Sequence, residues 1–364
     1  MGYTVAIVGA TGAVGRTIAE KLEERDFPAD KVKFLASARS AGTSVRFRGT
    51  EHIVEEAVPG QFDDVDIAFF SAGGNVSKAL APEAVRRGTT VIDNTSAFRM
   101  DPDTPLVVPE VNRDVLKRHR GLIANPNCST IQMVCALEPV RRKFGLSRVI
   151  VSTYQAVSGA GADAIDELGR QGAGMDGRAD AVAALLPVKG DQKHFPIAYN
   201  AIPQIDVFGE DGYTLEEWKM INETKKIMEM PDLRVSATCV RLPVVTGHSE
   251  SVYFETGDAA ADAAGIRAAL EAAEGITVLD DPDSQSYPMP LFAEGKDDVF
   301  TGRLRKDPDV PGAFHLWVVA DNLLKGAALN SIQIAEALIA DGTVKGERAD
   351  GTRQHLDGDG HAVR

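Results

Sequence analysis

The first third of the chain alternates short apolar runs with amphipathic stretches. YTVAIVGA, KVKFLAS, VDIAFFSA, TTVIDNTS, PLVVPEVN and GLIANP are the apolar runs. Between the first two, GAVGRTIAEKLEER sets Val14, Ile18 and Leu22 on one face at helical spacing. VSKALAPEAVRRG reads as a further helix. Continuous apolar strands alternating with helices predict a parallel sheet covered on both faces.

The texture changes after Cys128. TIQMVCALEPVRRKFG is helical, RVIVSTYQAVSG is a long, partly alternating strand, and AGADAIDELGRQGAG is a helix followed by a loop. LRVSATCVRLPVVTGHSESVYFET carries two long strands around a Thr-Gly turn, VFTGRLRKD and FHLWVVAD add two more, and NLLKGAALNSIQIAEALIADG closes as a helix. Long strands with fewer interleaved helices predict a second, α+β domain with a mixed sheet. From Thr343 onward the chain is polar and glycine-rich, as expected of a loose tail. A length of 364 residues agrees with two domains.

The formal net charge of −14 argues against nucleic-acid binding, although a locally basic site for a small anion remains compatible with it. There are three cysteines, Cys128, Cys135 and Cys239, and no C-x-x-C pair. That count fits reduced thiols in a cytoplasmic protein better than a disulfide scaffold. The histidines do not cluster at metal-ligand spacing, so no metal is expected. The chain enters a strand directly from its first residues, without a signal peptide. No apolar run approaches the roughly 20 residues of a membrane span.

GATGAVG places Gly9, Gly12 and Gly15 between a strand and a helix. Glycines there permit a tight turn and close approach of a pyrophosphate to the helix N-terminus, as in a Rossmann-like dinucleotide-binding domain. The alternative is a glycine-rich turn that binds nothing. After the second strand, SARSAG offers Ser37, Arg39 and Ser40 where an NAD site usually has an acid. Guanidinium and hydroxyls suit a 2′-phosphate and favour NADP, against the alternative of a solvated loop arginine. Ser71, Ala72 and Gly73 follow the third strand, as a loop under the cofactor or simply as a tight turn.

ANPNCST puts Cys128 between a strand end and a helix start, where a helix N-terminus stabilises an anionic sulfur. Cys135 and Cys239 sit among apolar neighbours and read as small buried hydrophobes. A thiolate with a nicotinamide cofactor suggests acyl transfer through a thioester, which needs an acid/base. His248 in GHSES is a candidate, with a surface turn histidine as the alternative. Arg99 in SAFRM and Arg241 in CVRLPV stand among residues that read as buried, and so require an anionic partner. That partner is either structural, such as Asp93 or Glu110, or a substrate. Glu216 and Lys219 lie three apart on a helix face, the spacing of an ordinary ion pair.

Taken together, GATGAVG, SAFRM, NPNCST, QAVSGAG, EEWKMINETKKI, RLPVVTGHS and DNLLKGAA, in that order, resemble the aspartate-semialdehyde dehydrogenase family over about residues 3 to 341. The resemblance implies NADPH-dependent reductive dephosphorylation of L-aspartyl-4-phosphate to L-aspartate 4-semialdehyde, reversibly, through a cysteine thioester, in amino-acid biosynthesis. It makes Cys128 the nucleophile, Gln155 its acyl-orienting partner and His248 the acid/base. Arg241 would hold the α-carboxylate, Glu216 the α-amino group, and Arg99 and Lys219 the phosphate, with Asn127 beside the thiol. The cofactor set becomes Gly9, Thr11, Gly12, Ala13, Val14, Ser37, Arg39, Ser40, Ser71, Ala72, Gly73 and Asn94, together with Ser158, Gly159, Gly161 and Asn322.

A homodimer or tetramer built through the second domain is implied. The closing helix would return to the cofactor domain, giving 1–128 with 322–342 as the NADP-binding domain. Residues 129–321 would form the catalytic and dimerisation domain, and 343–364 the tail. Leu242 departs from the family, which often has a β-branched residue there. The main alternative activity is that of an N-acetyl-glutamyl-phosphate reductase, whose acylated substrate would have no use for Glu216. A redox-sensing nucleotide-binding regulator would need neither the arginine pair nor His248.

Overall fold

The computed structural model describes residues 2–173 and 181–344. The chain divides into two compact units, one formed by the residues up to Pro126 together with the segment from Ala327, the other by Asn127–Gly326.

The first unit opens with strand β1 (Tyr3–Val8), helix α1 (Ala13–Glu24) and strand β2 (Ala29–Ala36). A small antiparallel hairpin, β3 (Ser44–Phe47) with β4 (Thr50–Ile53), and short β5 (Glu55–Glu56) follow. Then come β6 (Ile67–Phe70), α2 (Gly74–Arg86), β7 (Thr90–Asp93), α3 (Pro109–Asn112) and β8 (Leu122–Ala124). The six-stranded sheet runs β5-β2-β1-β6-β7-β8, every pairing parallel. Both faces are dry, as its unbroken apolar strands require. Val5 and Ile7 enter one hydrophobic cluster with Ile18 and Leu22 of α1, while Ala6 and Val8 enter another with Ala81 and Ala84 of α2. Because β2 lies on one side of β1 and β6 on the other, the strand order reverses at β1. That is where open parallel sheets bind nucleotides, beyond the strand C-termini.

PLVVPEVN is not a strand. Leu106 makes only an isolated bridge to Ala124, and Pro109 starts α3. Proline at the first helical position has a suitable fixed φ and no N–H to waste.

The second unit holds α4 (Cys128–Phe144), β9 (Arg148–Gln155), α5 (Ala162–Gly172), α6 (Leu215–Ile227), β10 (Arg234–Arg241), β11 (His248–Glu255), α7 (Ala263–Glu271), β12 (Ile276–Val278), α8 (Pro290–Ala293), β13 (Val299–Lys306) and β14 (Ala313–Ala320). Its sheet, β10-β9-β11-β14-β13-β12, is mixed. β9 pairs in parallel with β10 and antiparallel with β11, while β14 is antiparallel to both β11 and β13. The two strands around the Thr-Gly turn are therefore not partners, because β9 lies between them. This order matters for the site. It brings the C-terminal end of β9, the C-terminal end of β10 and the N-terminal end of β11 to one edge of the sheet. Buried positions alternate along β9, so Val149, Val151, Thr153 and Gln155 face inward.

The closing segment begins with a π-helical turn, Leu324–Ala328, and continues as α9 (Leu329–Ala340). Ile332, Ala335 and Leu338 of α9 complete the core around α1 and β1 in the first unit. The expected domain boundary differs in two places. Asn127 and Cys128 belong with the second unit because they start α4, and Asn322 belongs there because it is bonded to Ser158 and Gly247. Beyond residue 344, the expected tail lies outside the described residues.

Candidate active site

Cys128 is the first residue of α4. Asn127 caps that helix, its Oδ1 accepting from the Ser129 and Thr130 N–H groups at 3.1 and 3.2 Å. The same side chain donates through Nδ2 to Glu216 Oε1 at 2.9 Å, and the Asn127 backbone N–H donates to Glu223 Oε2 at 2.7 Å. The residue before the thiol is thus held by helix α4 and by two carboxylates of α6. Glu216 and Glu223 lie two turns apart on one face of α6, a spacing in EEWKMINETKKI whose purpose the sequence reading missed. Across from the thiol, a Cβ added at Gly326 would lie 2.8 Å from the Cys128 Cβ. Only glycine lets the π-helical turn pass this close. Cys128 is half-buried, whereas Cys135 and Cys239 are buried, and no disulfide is formed among the three. Burial pushes the Cys239 thiol far above its ordinary range, with nearby Glu216, Glu217 and Glu250 adding to the effect.

Strand register assembles the next three residues. Arg241 lies opposite Gln155 across β10 and β9, and His248 starts β11 on the other side of β9. All three are buried. The Ala156 peptide joins two of them: its N–H donates to His248 Nδ1 at 3.1 Å, and its carbonyl accepts from Arg241 Nη1 at 2.6 Å. With Nδ1 accepting, the histidine proton resides on Nε2, which is buried and has no hydrogen-bond partner. Burial, then the Arg241 charge, pushes the His248 pKa down to about 3, against the opposing pull of Glu216. The imidazole is therefore neutral. A Cβ at Gly159 would lie 3.0 Å from Arg241 Nη1 and 3.3 Å from His248 Nε2, so the Val157–Ala160 turn crosses directly over both groups. His248 is not a surface turn histidine. The turn signal in GHS did not disclose this burial, because the turn folds back over the sheet edge.

Glu216 is buried yet ionised. Burial alone would raise its pKa, but Lys219, the amides of Asn127 and Gln155 and the charge of Arg241 together hold it at about 2. Gln155 Nε2 donates to Glu216 Oε1 at 3.2 Å. Lys219 reaches Glu216 at 3.2 Å and Asp206 at 2.8 Å. The expected Glu216–Lys219 pair is present, but at a buried site. Burial lowers the affinity of Arg241 for its proton, and the neighbouring Glu216 and Cys128 oppose this. One cluster in the second unit therefore holds a thiol at a helix N-terminus, a neutral imidazole with an uncommitted N–H, a buried guanidinium and an ionised carboxylate. Such a set can bind a small zwitterion and transfer an acyl group to sulfur.

Asn322 Nδ2 donates to Ser158 Oγ at 2.9 Å, and Asn322 Oδ1 accepts from the Gly247 N–H at 2.9 Å. These bonds tie the turn before His248 to the Val157–Ala160 turn. Gly161 follows at φ 95°, as the residue before α5.

In the first unit, the loops after β1, β2, β6 and β7 carry the expected cofactor residues on one sheet edge. Gly9 has φ 93°, and a Cβ there would meet Ser71 and the Ala72 N–H at 2.9 Å. A Cβ at Gly15 would collide with the Gly9 carbonyl. Both glycines are dictated by close backbone passage, which leaves Thr11, Gly12, Ala13 and Val14 to wrap the N-terminus of α1. Gly12 caps α1 with no side-chain bond. Ser71 Oγ donates to the Val8 carbonyl at 3.1 Å, and Gly73 turns into α2 at φ 93°. Asn94 donates its backbone N–H to the Phe70 carbonyl at 2.8 Å, while its Oδ1 is buried without a partner. Ser37 and Arg39 are exposed after β2, and Ser40 is half-buried. A glycine-lined helix N-terminus at this strand-order reversal fits a dinucleotide, and the orphaned Asn94 amide oxygen lies at the same end of the sheet.

Arg99 is buried, and its Nε and Nη2 donate to the Asn125 and Asn94 carbonyls at 2.9 and 2.8 Å. Of the acids suggested as its structural partner, Glu110 accepts from Gln333. Asp93 accepts from Ser77 and Thr95, with only a weak influence from Arg99. Among the described residues no helix is long and apolar enough to cross a membrane, and no group of acidic, His or Cys side chains could hold a metal.

Comparison with known proteins identifies the family. The profile "Semialdehyde dehydrogenase, NAD binding domain" matches residues 4–119, and "Semialdehyde dehydrogenase, dimerisation domain" matches 137–325. The chain is 62% identical over 337 residues to a Bacillus subtilis aspartate-semialdehyde dehydrogenase, covering 93% of this chain and 97% of that protein. The crystal structure of the Vibrio cholerae aspartate semialdehyde dehydrogenase II complexed with ASA has TM-score 0.86 and 46% identity, over 94% of this chain and 99% of that one. The Candida albicans aspartate semialdehyde dehydrogenase with NADP has TM-score 0.72 and 26% identity, over 94% and 100%. The chain belongs to the aspartate-semialdehyde dehydrogenase family.

Proposed function

We propose that the chain reduces L-aspartyl-4-phosphate with NADPH to L-aspartate 4-semialdehyde and phosphate, reversibly, through a thioester on Cys128. Bound NADPH supplies the hydride. Gly9, Thr11, Gly12, Ala13, Val14, Ser71, Ala72, Gly73 and Asn94 would hold its pyrophosphate and adjoining groups. Ser37, Arg39 and Ser40 would take the 2′-phosphate. Ser158, Gly159, Gly161 and Asn322 would line the nicotinamide end.

The residues of the chain do the rest. Cys128 Sγ attacks the acyl carbon, and the C–O bond to phosphate breaks as the C–S bond forms. The α4 N-terminus favours negative charge on the sulfur before attack. When the aldehyde is released, the C–S bond breaks and the electron pair returns to sulfur. His248 Nε2 exchanges the proton with the reacting oxygen, a task suited to an imidazole with no competing partner at that atom. Gln155 steadies the acyl group. Arg241 binds the α-carboxylate and ionised Glu216 the α-ammonium, while Arg99 and Lys219 bind the phosphate. The protein works as a homodimer through its second unit, and a tetramer is the pairing of two such dimers.

Buried Glu216, held by Asn127, Gln155 and Lys219 in the cluster that includes Arg241, is the observation that carries the choice of substrate. Arg241 and Glu216, electrostatically coupled within one buried cluster, offer a positive and a negative partner to a free amino acid, whereas an N-acylated substrate brings no ammonium to the carboxylate. The test is NADPH formation by the purified protein from aspartate semialdehyde and phosphate, alongside N-acetylglutamate semialdehyde. Turnover of aspartate semialdehyde alone is expected. Preference for the acetylated substrate would reverse the assignment.

A further inference from the structure

Glu250 is a further buried acid near the site, and the chemistry above makes no use of it. It lies two residues after His248 on β11. Strand register places it in a row that crosses the sheet. Cys239 is opposite Thr153, Thr153 opposite Glu250, Glu250 opposite Val318, and Val318 opposite Thr301. Every member of the row is buried. Above it, α4 contributes Gln132, also buried, whose Nε2 donates to the His248 carbonyl at 3.3 Å.

Neither Glu250 oxygen has a well-formed hydrogen bond, and Gln132 Oε1 has none either. Glu216, also buried, shows what ionisation requires: a lysine, an arginine and two amides. The register partners of Glu250 are Thr153 on β9 and Val318 on β14, with Cys239 further along the row on β10, and Gln132 of α4 is the side chain that acts on its carboxyl. None is a cation. A carboxylate left unpaired in such surroundings is strongly disfavoured, whereas a protonated carboxyl brings an O–H donor to a place that has an idle acceptor. Burial accordingly raises Glu250 well above the ordinary range, with the Gln132 amide opposing it only in part.

We propose that Glu250 is a positioning residue that works as a neutral carboxylic acid: its O–H engages the Gln132 amide oxygen, and Gln132 in turn fixes the His248 carbonyl and so the start of β11. The imidazole then meets the reacting carbon from a braced backbone. An ionised Glu250 would break this chain and set a negative charge two residues from His248. The inference rests on the reading of His248 as acid/base.

The test uses the full-length protein and the variants Glu250→Gln, Glu250→Ala and Gln132→Met. Infrared difference spectra of wild type against Glu250→Gln at neutral pH should show a protonated carboxyl C=O band that the variant lacks. In the assay above, Glu250→Gln should keep kcat within about twofold. Glu250→Ala and Gln132→Met should each lower kcat about tenfold or more, with KM for the semialdehyde little changed. If Glu250→Ala fails to fold, Gln132→Met carries the kinetic arm. The proposal is overturned by a missing band, by Glu250→Gln as damaged as Gln132→Met, or by unchanged kcat in Gln132→Met. His248→Asn with normal turnover would reject the acid/base reading while leaving the infrared band in place, so the two failures are distinguishable.

Discussion

Asn127 and Glu216 are joined by a 2.9 Å hydrogen bond from Nδ2 to Oε1, while the other end of the same amide caps the helix that begins with Cys128. One side chain therefore couples the thiol-bearing helix to the carboxylate proposed to read the substrate's ammonium. Asparagine suits this position because it accepts at one end and donates at the other, which neither aspartate nor serine does in the same geometry.

Asn127→Ala should lose both functions. The cap is worth about 1 kcal/mol, read as a lower denaturant midpoint. Glu216 would lose one of the bonds that keep it ionised, so KM for the semialdehyde should rise as well. A stability loss with unchanged kinetics would show that the amide serves only as a cap.

The neutral imidazole gives a pH prediction. His248 has a folded-state pKa of about 3 against an ordinary 6.5, so the unfolded chain binds the extra proton first as pH falls. Stability from this residue is full above pH 6.5 and is lost progressively down to about 3. The slope is at most about 1.4 kcal/mol per pH unit. Glu216, with its pKa lowered from 4.5 to about 2, loses its own contribution only below 4.5. Glu250, whose pKa is raised, contributes the opposite slope above 4.5 in both proteins, so between 6.5 and 4.5 His248 is read as the difference between them. In denaturant titrations across that window, wild type should lose stability relative to His248→Asn as the pH is lowered. Equal slopes would mean that the imidazole is solvated and titrates normally.

How much of this could be read in the sequence varies by residue. The parallel sheet and its glycine turn were legible because apolar strands and Gly9, Gly12 and Gly15 are local signals. PLVVPEVN misled because its apolar content fits a strand while Pro109 dictates a helix start, and the proline should have weighed more. Cys128 stood out through its neighbours, Asn127 and Ser129. The meeting of Gln155, Arg241 and His248 was not legible from spacing, since it depends on β9 inserting between β10 and β11. The resemblance to a known family supplied those roles instead. Glu223, Gln132 and Gly326 carried no signal that sequence alone could rank above ordinary helix residues, because their partners lie far away along the chain.

Arg39 stands exposed after β2, where the sequence lacks the acid that would accept from a ribose diol. Arg39→Asp should weaken NADP binding far more than NAD binding in fluorescence titrations. Equal losses for both cofactors would remove Arg39 from the 2′-phosphate site.

Arg99 and Arg241 are proposed to hold opposite ends of the substrate. Lysine keeps the charge and loses the planar fork, so Arg99→Lys should mainly raise KM for phosphate, and Arg241→Lys mainly KM for the semialdehyde. A larger fall in kcat is expected at Arg241, because the carboxylate anchor sets the distance from carbonyl to sulfur. Lowered melting temperature with unchanged kinetics in both variants would leave the guanidiniums as backbone braces, Arg99 on Asn94 and Asn125 and Arg241 on Ala156.

The covalent role of Cys128 is the claim on which the rest depends, and mass spectrometry tests it most directly. The protein is mixed with aspartate semialdehyde and NADP without phosphate, quenched in acid and digested. The account predicts an added aspartyl acyl group that peptide fragmentation places on Cys128 and not on Cys135 seven residues later, none on the peptide containing Cys239, and its disappearance when phosphate is added. An unmodified Cys128 peptide under conditions of full NADPH formation, or full turnover by Cys128→Ala, would contradict it.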